Sequence, residues 1–199
     1  MIPQVGLRER KKARTRAAIR QHALRLFREQ GYQATTVEQI AVAAEVSPST
    51  FFRYFATKED VVLRDDVDTR LLAALSRQPP YLAPVRAIRA AAKDALESFS
   101  ADEMAQLRET TELTLAVPEV RARAMDELVR AIEAIAGAIA ERVGRPTADL
   151  PVRALSGAVV GVITSVIMPW SDSDSNSAID EMFARIDEGL ALLESGLSL

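Results

Sequence analysis

Residues 35–58 encode two short helices joined by a tight turn, and most of what this chain can be follows from that stretch. Thr36 stands just before a helical stripe of Val37, Ile40, Ala41 and Ala44. A threonine there caps a helix, because its hydroxyl accepts from a backbone N–H two or three residues on. Ser47 repeats the signal eleven residues later, followed by Pro48 at the first helical position, where its missing N–H leaves no bond unmade. Between the two caps there is room for one short helix and a tight turn.

Two helices joined in this way form a helix-turn-helix, whose second helix lies in the DNA major groove. The run Val46-Ser47-Pro48-Ser49-Thr50-Phe51-Phe52-Arg53-Tyr54-Phe55-Ala56-Thr57-Lys58 resembles the recognition-helix signature of the TetR family of transcriptional repressors. Upstream, Ala23-Leu24-Arg25-Leu26-Phe27, Gly31-Tyr32 and Thr35-Thr36-Val37 fit that family's first helix and its junction. The chain departs from the family at Glu45, where Gly is frequent. If the turn needs a left-handed residue there, Glu costs on the order of 1 kcal/mol.

The expected fold is all-α, with about nine helices: an N-terminal three-helix helix-turn-helix DNA-binding domain over 1–56 and a helical ligand-binding and dimerisation domain over 57–199. A helix over 57–77, capped by Thr57, is expected to connect them. Helix 1 is expected over 9–30, with Ile19, Ala23, Leu26 and Phe27 inward and Gly31 as its stop. Further helices are expected from Pro84, from Ser100 with Glu103 completing a capping box, and from Pro118 to Val143 before Gly144. Two more are expected over about 147–168 and 176–197. No strand alternation persists anywhere.

Charge sharpens the division. The net charge of −3 alone argues against DNA. Yet residues 1–60 hold 11 basic against six acidic side chains, a surplus of five, and the remainder holds 14 against 22, a deficit of eight. A basic module joined to an acidic body is the asymmetry expected when one end meets phosphate. Cysteine is absent and His22 is the single histidine, so no thiolate site, histidine metal site or catalytic triad is expected, nor any cofactor; the chain is not expected to be an enzyme. The first twenty residues are charged and lack a secretory apolar run. The apolar run 154–168 is short of the ~20 residues of a membrane span. A cytoplasmic setting away from membranes is expected.

On the DNA side, the cations Lys11, Lys12, Arg14 and Arg16 are candidates for phosphates or a narrow minor groove; a merely solvated face is the alternative. Ser47, Pro48, Ser49 and Thr50 stand at the start of the second helix, whose N-terminal residues face base edges. Phe52 suits a thymine methyl. Arg53 is the one strong bidentate hydrogen bonder on that helix and suits guanine O6/N7. The TetR resemblance implies phosphate contacts from Thr36, Tyr54 and Lys58, with Phe51 and Phe55 packed inward.

The last two helices pose a covering problem. The first is apolar nearly all round, with Leu155, Val159, Val162 and Val166, and such a helix must be covered on every side. The second carries Ile179, Phe183, Ile186 and Leu190 at helical spacing. Both are expected to form one half of an intermolecular four-helix bundle, internal core being the alternative; the resemblance implies a homodimer. It also implies an effector cavity in the body. Candidate lining residues are Leu96, Phe99, Met104, Leu107, Leu113, Met125, Leu128, Val159, Ile163 and Trp170, with Arg108, Glu109 and Glu112 as polar candidates. An exposed i,i+4 pair explains Arg108 and Glu112 equally well.

Residues 107–123, with Pro118-Glu119-Val120-Arg121-Ala122-Arg123, are similar to the branch that includes the mycofactocin-system regulator. That likeness implies a hydrophobic effector, an acyl-CoA or a fatty-acid-like molecule. The function expected is a repressor released from a palindromic double-stranded DNA operator by a small, largely hydrophobic effector. The alternatives are an activator, or a constitutive DNA-binding protein of the same fold with no effector.

Overall fold

The structure, a computed structural model, describes residues 6–63, 65–167 and 178–196. Every regular element in it is a helix, and the chain divides into two compact units, Met1–Leu63 and Arg64–Leu199. The described residues form ten helices.

The first unit contains α1 (Leu7–Gln30), α2 (Val37–Ala43), α3 (Pro48–Tyr54) and the single turn α4 (Glu59–Val62). Its core is built from one stripe of each helix. Ile19, Ala23, Leu24 and Phe27 of α1 are buried with Ile40 and Ala41, Phe51 and Phe55, and Val61 and Val62. Leu26, expected inward, is only half-buried, and Leu24 takes its place. α1 stops at Gly31, whose φ of 85° is open to glycine without a Cβ clash.

The two caps hold the turn between α2 and α3. Thr36 Oγ1 accepts from Gln39 N at 3.2 Å and Gln39 Oε1 accepts from Thr36 N at 2.9 Å, a reciprocal box. Ser47 Oγ accepts from Thr50 N at 3.1 Å, with Pro48 at the first helical position. Glu45 adopts φ 54°, so the turn does require a left-handed residue, and a glutamate supplies it.

The helix expected over 57–77 is two helices. The cap position of α4 is Lys58 and not the expected Thr57, which instead forms a reciprocal pair just ahead of it: Thr57 Oγ1 accepts from Asp60 N and Asp60 Oδ2 accepts from Thr57 N. Leu63 then turns extended (ψ 139°). The guanidinium of Arg20 takes the carbonyls of Val61 (2.9 Å) and Leu63 (2.5 Å). Those oxygens are satisfied from α1 instead of from a following turn of helix, and the first unit closes after Leu63.

The second unit contains α5 (Asp65–Arg77), α6 (Pro84–Glu97), α7 (Ala101–Ala116), α8 (Pro118–Val143), α9 (Leu150–Ile167) and α10 (Ala178–Glu194). α5 packs on α6 and α8, α8 on α9, and α10 on α9 and α6, while α7 lies against α8. The shared core draws Leu75 from α5, Ile88 and Ala91 from α6, Ile139 from α8, Val159 from α9 and Leu190 from α10. Ser100 and Glu103 form the expected capping box of α7. Arg142 near the end of α8 donates to the carbonyls of Gln78, Pro79 and Leu82, pinning the α5–α6 connection. Gly144 ends α8 with φ 64°.

One expectation about α9 changes, and with it one about α10. Val159 is fully buried inside this chain, as is Leu190 at 1% exposure, so both belong to the core of one protomer and not to a face that a second copy could reach. The helix is also longer than its apolar run. It spans 18 residues, and by length and composition it alone among the described helices could cross a membrane. Leu150, Pro151 and Val152 extend it, with Arg153 the one charged residue. In this fold Val152, Ser156, Val159 and Val160 are buried. Gly189 on α10 permits close approach, because a Cβ there would meet Val162 Cγ1 of α9 at 2.7 Å.

Candidate functional site: a nucleic-acid interface and a cavity in the body

On the first unit the cations gather around α3. Arg53 and Tyr54 line a cleft of about 580 Å³ with Arg8, Lys11, Lys12 and Thr15 from the first turns of α1. The guanidinium of Arg53 lies 5.4 Å from the Tyr54 ring centroid, a cation–π distance. Arg8 and Thr15 were not among the expected DNA contacts. Their placement follows from α1 beginning at Leu7, which continues the helix past α3, and a charge run alone does not reveal such a meeting.

Other expected DNA residues divide by what already holds them. Lys12, Arg14, Thr36, Pro48, Ser49 and Phe52 are exposed, and Thr50 is half-buried. The Ser47 hydroxyl is spent within the helix cap: it accepts from Thr50 N and donates to Thr50 Oγ1 at 2.9 Å. Arg16 is half-buried, with its guanidinium 5.0 Å from the centroid of Phe55. Phe51 and Phe55 are buried at 5.7 Å from each other.

Lys58 is turned inward. Its Nζ donates to Tyr32 O at 2.9 Å and to Thr35 O at 3.0 Å, and lies 4.0 Å from the Tyr32 ring centroid. The lysine therefore ties the start of α4 to the α1–α2 junction. Beside it, the Tyr32 hydroxyl donates to Glu59 Oε1 at 2.7 Å. Burial pushes Glu59 up, but the Tyr32 hydroxyl, backbone and Thr57 hydrogen bonds and the Lys58 charge outweigh it. The net result holds Glu59 below the ordinary carboxylate value.

In the second unit a cavity of about 240 Å³ opens between α5, α7, α8 and α9. Met125, Leu128 and Ile163, all expected, line it, joined by Leu71, Leu72 and Val160. Three polar side chains reach it: Asp68, Thr114 and Thr164.

The remaining cavity candidates lie elsewhere. Val159 is core and Leu107 is buried. Leu96 faces a surface groove between α6 and α10 with Phe183 and Ile186, rimmed by Arg86, Arg89 and Lys93. Phe99 lies under the guanidinium of Arg70, 4.1 Å from its ring centroid, while Arg70 also pairs with Glu103. The Ser100 backbone and Arg70 hold Glu103 below its ordinary value. Arg108 pairs across to Asp180 of α10 at 2.8 Å instead of with Glu112, which is exposed. Met104, Glu109 and Leu113 are half-buried on α7, away from the cavity lining. Trp170 and the side chain of Ile179 fall outside the described residues.

Of the other expected dimer residues, Leu155, Val162, Val166, Phe183 and Ile186 are half-buried. The exposed face of α9 is instead Leu150, Ala154, Gly161 and Ser165, and that of α10 includes Ala184 and Leu192. Among the described residues no cluster of His, Asp and Glu could hold a metal ion.

Comparison with known proteins gives two family matches. Residues 19–64 match the profile of bacterial regulatory proteins of the tetR family, and residues 82–198 match the MftR C-terminal domain. The HTH-type transcriptional regulator TcmR of Streptomyces glaucescens is 51% identical over 88 residues, which cover 43% of this chain. The chain spans only 39% of TcmR's length in that match. A mycofactocin biosynthesis transcriptional regulator, MftR of Mycobacterium tuberculosis, is 28% identical over 180 residues, 89% of this chain and 90% of that protein. Among solved structures, the Thermus thermophilus repressor FadR in complex with lauroyl-CoA superposes with a TM-score of 0.56 at 25% identity. That match covers 92% of this chain and 95% of FadR.

Proposed function

Because the chain belongs to the TetR family of bacterial regulatory proteins, we propose that it acts as a homodimeric repressor released from a palindromic operator by a small, largely hydrophobic effector. The observation that carries the DNA half is the cleft in which α3 and the first turns of α1 bring Arg8, Lys11, Lys12 and Arg53 together. A phosphate seated there fixes register, while Ser49, Thr50 and Phe52 reach base edges. Thr36, whose hydroxyl proton its capping role leaves available, and Tyr54 are proposed as further phosphate contacts. Two copies place two such helices in successive major grooves, so the operator is a near-palindrome.

The dimer face proposed is the exposed side of α9 and α10, around Ala154, Gly161, Ser165 and Leu192, since Val159 and Leu190 are inside the protomer. The effector site proposed is the cavity between α5, α7, α8 and α9. The likeness to FadR with lauroyl-CoA and the match to the MftR domain support an acyl-CoA among candidate effectors. The volume of about 240 Å³ lies below the ~300–1,000 Å³ of sites for drug-sized ligands, so a long acyl chain requires the helices to part.

The test is binding to DNA from the gene's own upstream region and to random DNA, between about 50 and 200 mM salt. Tight, salt-sensitive binding to one near-palindrome is expected; equal binding to all sequences identifies a constitutive DNA-binding protein, and raised transcription from the bound promoter identifies an activator. Arg53→Ala is expected to cost about 1–3 kcal/mol on the operator and to relax preference at one base per half-site. The cleft supports a second role for Arg53 as a phosphate ligand, and equal weakening on every sequence assigns it that role.

A further inference from the structure

The cavity in the body lies between α5, α7, α8 and α9, and α7 is held differently from the other three. α5, α8 and α9 each send side chains into the shared hydrophobic core; among the described residues α7 sends none and packs chiefly on α8. Its end is fastened to that same helix, where Arg121 donates to the Leu115 carbonyl at 3.2 Å. The N-terminal half of α7 is tied to other helices by charge. The guanidinium of Arg70 on α5 donates to the Ser98 carbonyl at 2.9 Å, pairs with Glu103 and lies 4.1 Å from the Phe99 ring centroid. Glu103 is the carboxylate that also closes the α7 cap, accepting from Ser100 N at 2.8 Å. Further along α7, Arg108 pairs with Asp180 of α10, with one guanidinium nitrogen 2.8 Å from each carboxylate oxygen.

Such ties place a helix without fixing it. Arg108 and Asp180 are 35% and 73% exposed, and Arg70 and Glu103 are half-buried, so water competes for every one of these groups. An element with few apolar contacts to the core opens at lower free energy than the unit as a whole. The cavity wall on α8 runs from Ala124 to Ile135, and Thr114 of α7 stands beside it. Moving α7 away from α8 therefore uncovers that wall and enlarges a space of about 240 Å³. Taking this cavity as the effector site, we propose that α7 is its lid, latched by Arg70–Glu103 and Arg108–Asp180. The lid opens from its N-terminal half and admits an occupant larger than the closed cavity.

The chain contains no cysteine, so a single introduced thiol reports opening at its own position. Thr110→Cys places one on the buried face of α7, Ser156→Cys places one in the buried face of α9, and Thr164→Cys places one in the cavity wall. With a small disulfide reagent, position 110 is expected to label faster than position 156 and with a weaker dependence on urea, since a helix that opens alone exposes less surface than the unfolding unit. Arg108→Met is expected to raise the rate at 110 about two- to fivefold. Arg70→Met, which also loses the Ser98 carbonyl and the Phe99 ring, is expected to raise it about five- to thirtyfold. If that variant does not fold, Arg70→Lys keeps the charge and loses the planar fork, with the same direction of change. Arg108→Glu combined with Asp180→Arg reverses the pair and is expected to return the rate to within about threefold of wild type. Labelling at 164 by fluorescein maleimide, a drug-sized reagent, is expected to rise with the rate at 110.

Equal rates and equal urea dependence at 110 and 156 overturn the lid, because α7 then opens only with the whole unit. A rate at 110 that neither arginine substitution raises overturns the latch. Maleimide labelling at 164 that stays at the wild-type rate while the rate at 110 rises also overturns the lid, since α7 then moves without opening the cavity. Operator release by lauroyl-CoA is measured separately. No release, with the thiols behaving as expected, counts against that effector and leaves the lid standing. Release with equal rates at 110 and 156 removes the lid and leaves the regulatory role standing.

Discussion

Replacing Lys58 by methionine separates two roles that one ammonium group could serve. Its Nζ bonds the carbonyls of Tyr32 and Thr35 and covers the Tyr32 ring. Tyr32 itself is only 6% exposed, so the clamp closes over a buried aromatic. Hydrogen bonds to a charged donor are worth about 1.5–3 kcal/mol each, and the half-buried setting argues for the lower end. The ring contact adds about 0.5–1 kcal/mol. Water can reach the freed carbonyls and recovers part of this, leaving an expected loss of about 2–3 kcal/mol. The assay is native-state hydrogen exchange at the α1–α2 junction, where such a loss lowers protection roughly 30- to 150-fold. With the ammonium engaged inside the unit, the slope of log K against log salt for operator binding is expected to stay constant. Protection within about threefold of wild type refutes the clamp. A slope reduced by about 0.9 per half-site makes Lys58 a phosphate ligand, the role the family resemblance implies.

Glu45→Gly relieves the left-handed turn at φ 54° and is expected to stabilise the first unit by up to about 1 kcal/mol, read as a higher urea midpoint; no gain would show that the turn carries no strain. Glu59 is held below its ordinary value of 4.5, so the stability it confers is complete above that pH and is lost as the pH falls through the lower folded value. Tyr32→Phe, which removes one cause of that shift, should make the first unit less sensitive to acid below about pH 4.5, and unchanged acid sensitivity would discount the bond. Gly161→Arg places a long cation on the exposed face of α9, where a Cβ meets nothing within 4 Å, and is expected to yield folded monomers in sedimentation. A variant that remains dimeric moves the interface elsewhere.

The first unit was legible almost residue by residue because its signals are local. A cap is chemistry over three residues, and Thr36 and Ser47 each specify a start that no distant contact needs to supply. Burial of Phe51 and Phe55 follows from their four-residue spacing once the helix is placed. Orientation of the long cations is another matter. Lys58, Arg16 and Arg20 look alike in sequence to Lys11 and Lys12, yet the first three reach carbonyls or an aromatic ring in their own unit and the last two line an open cleft. Their flexible stems let the fold choose between inward and outward partners, and that choice depends on where α4 ends.

In the body the helices were legible and the roles of their apolar turns were not, because core, cavity and partner face all ask for the same residue types. α8 shows this along one stripe. Val120 and Ile139 are buried away from the cavity, while Ala124, Met125 and Leu128, in phase with them, stand half-buried around it. α9 shows it around one circumference. Val159 is sealed in the protomer core, Ile163 lines the cavity, and Gly161 stands exposed. Hydrophobicity cannot separate these roles. What separates them is tertiary packing: on α9 one side meets α8 and α10 and seals Val159 in the core, another meets the space bounded by α5 and α7 and leaves Ile163 on the cavity wall. The role of an apolar turn is thus decided by which helices reach it, a long-range choice that neither composition nor periodicity records.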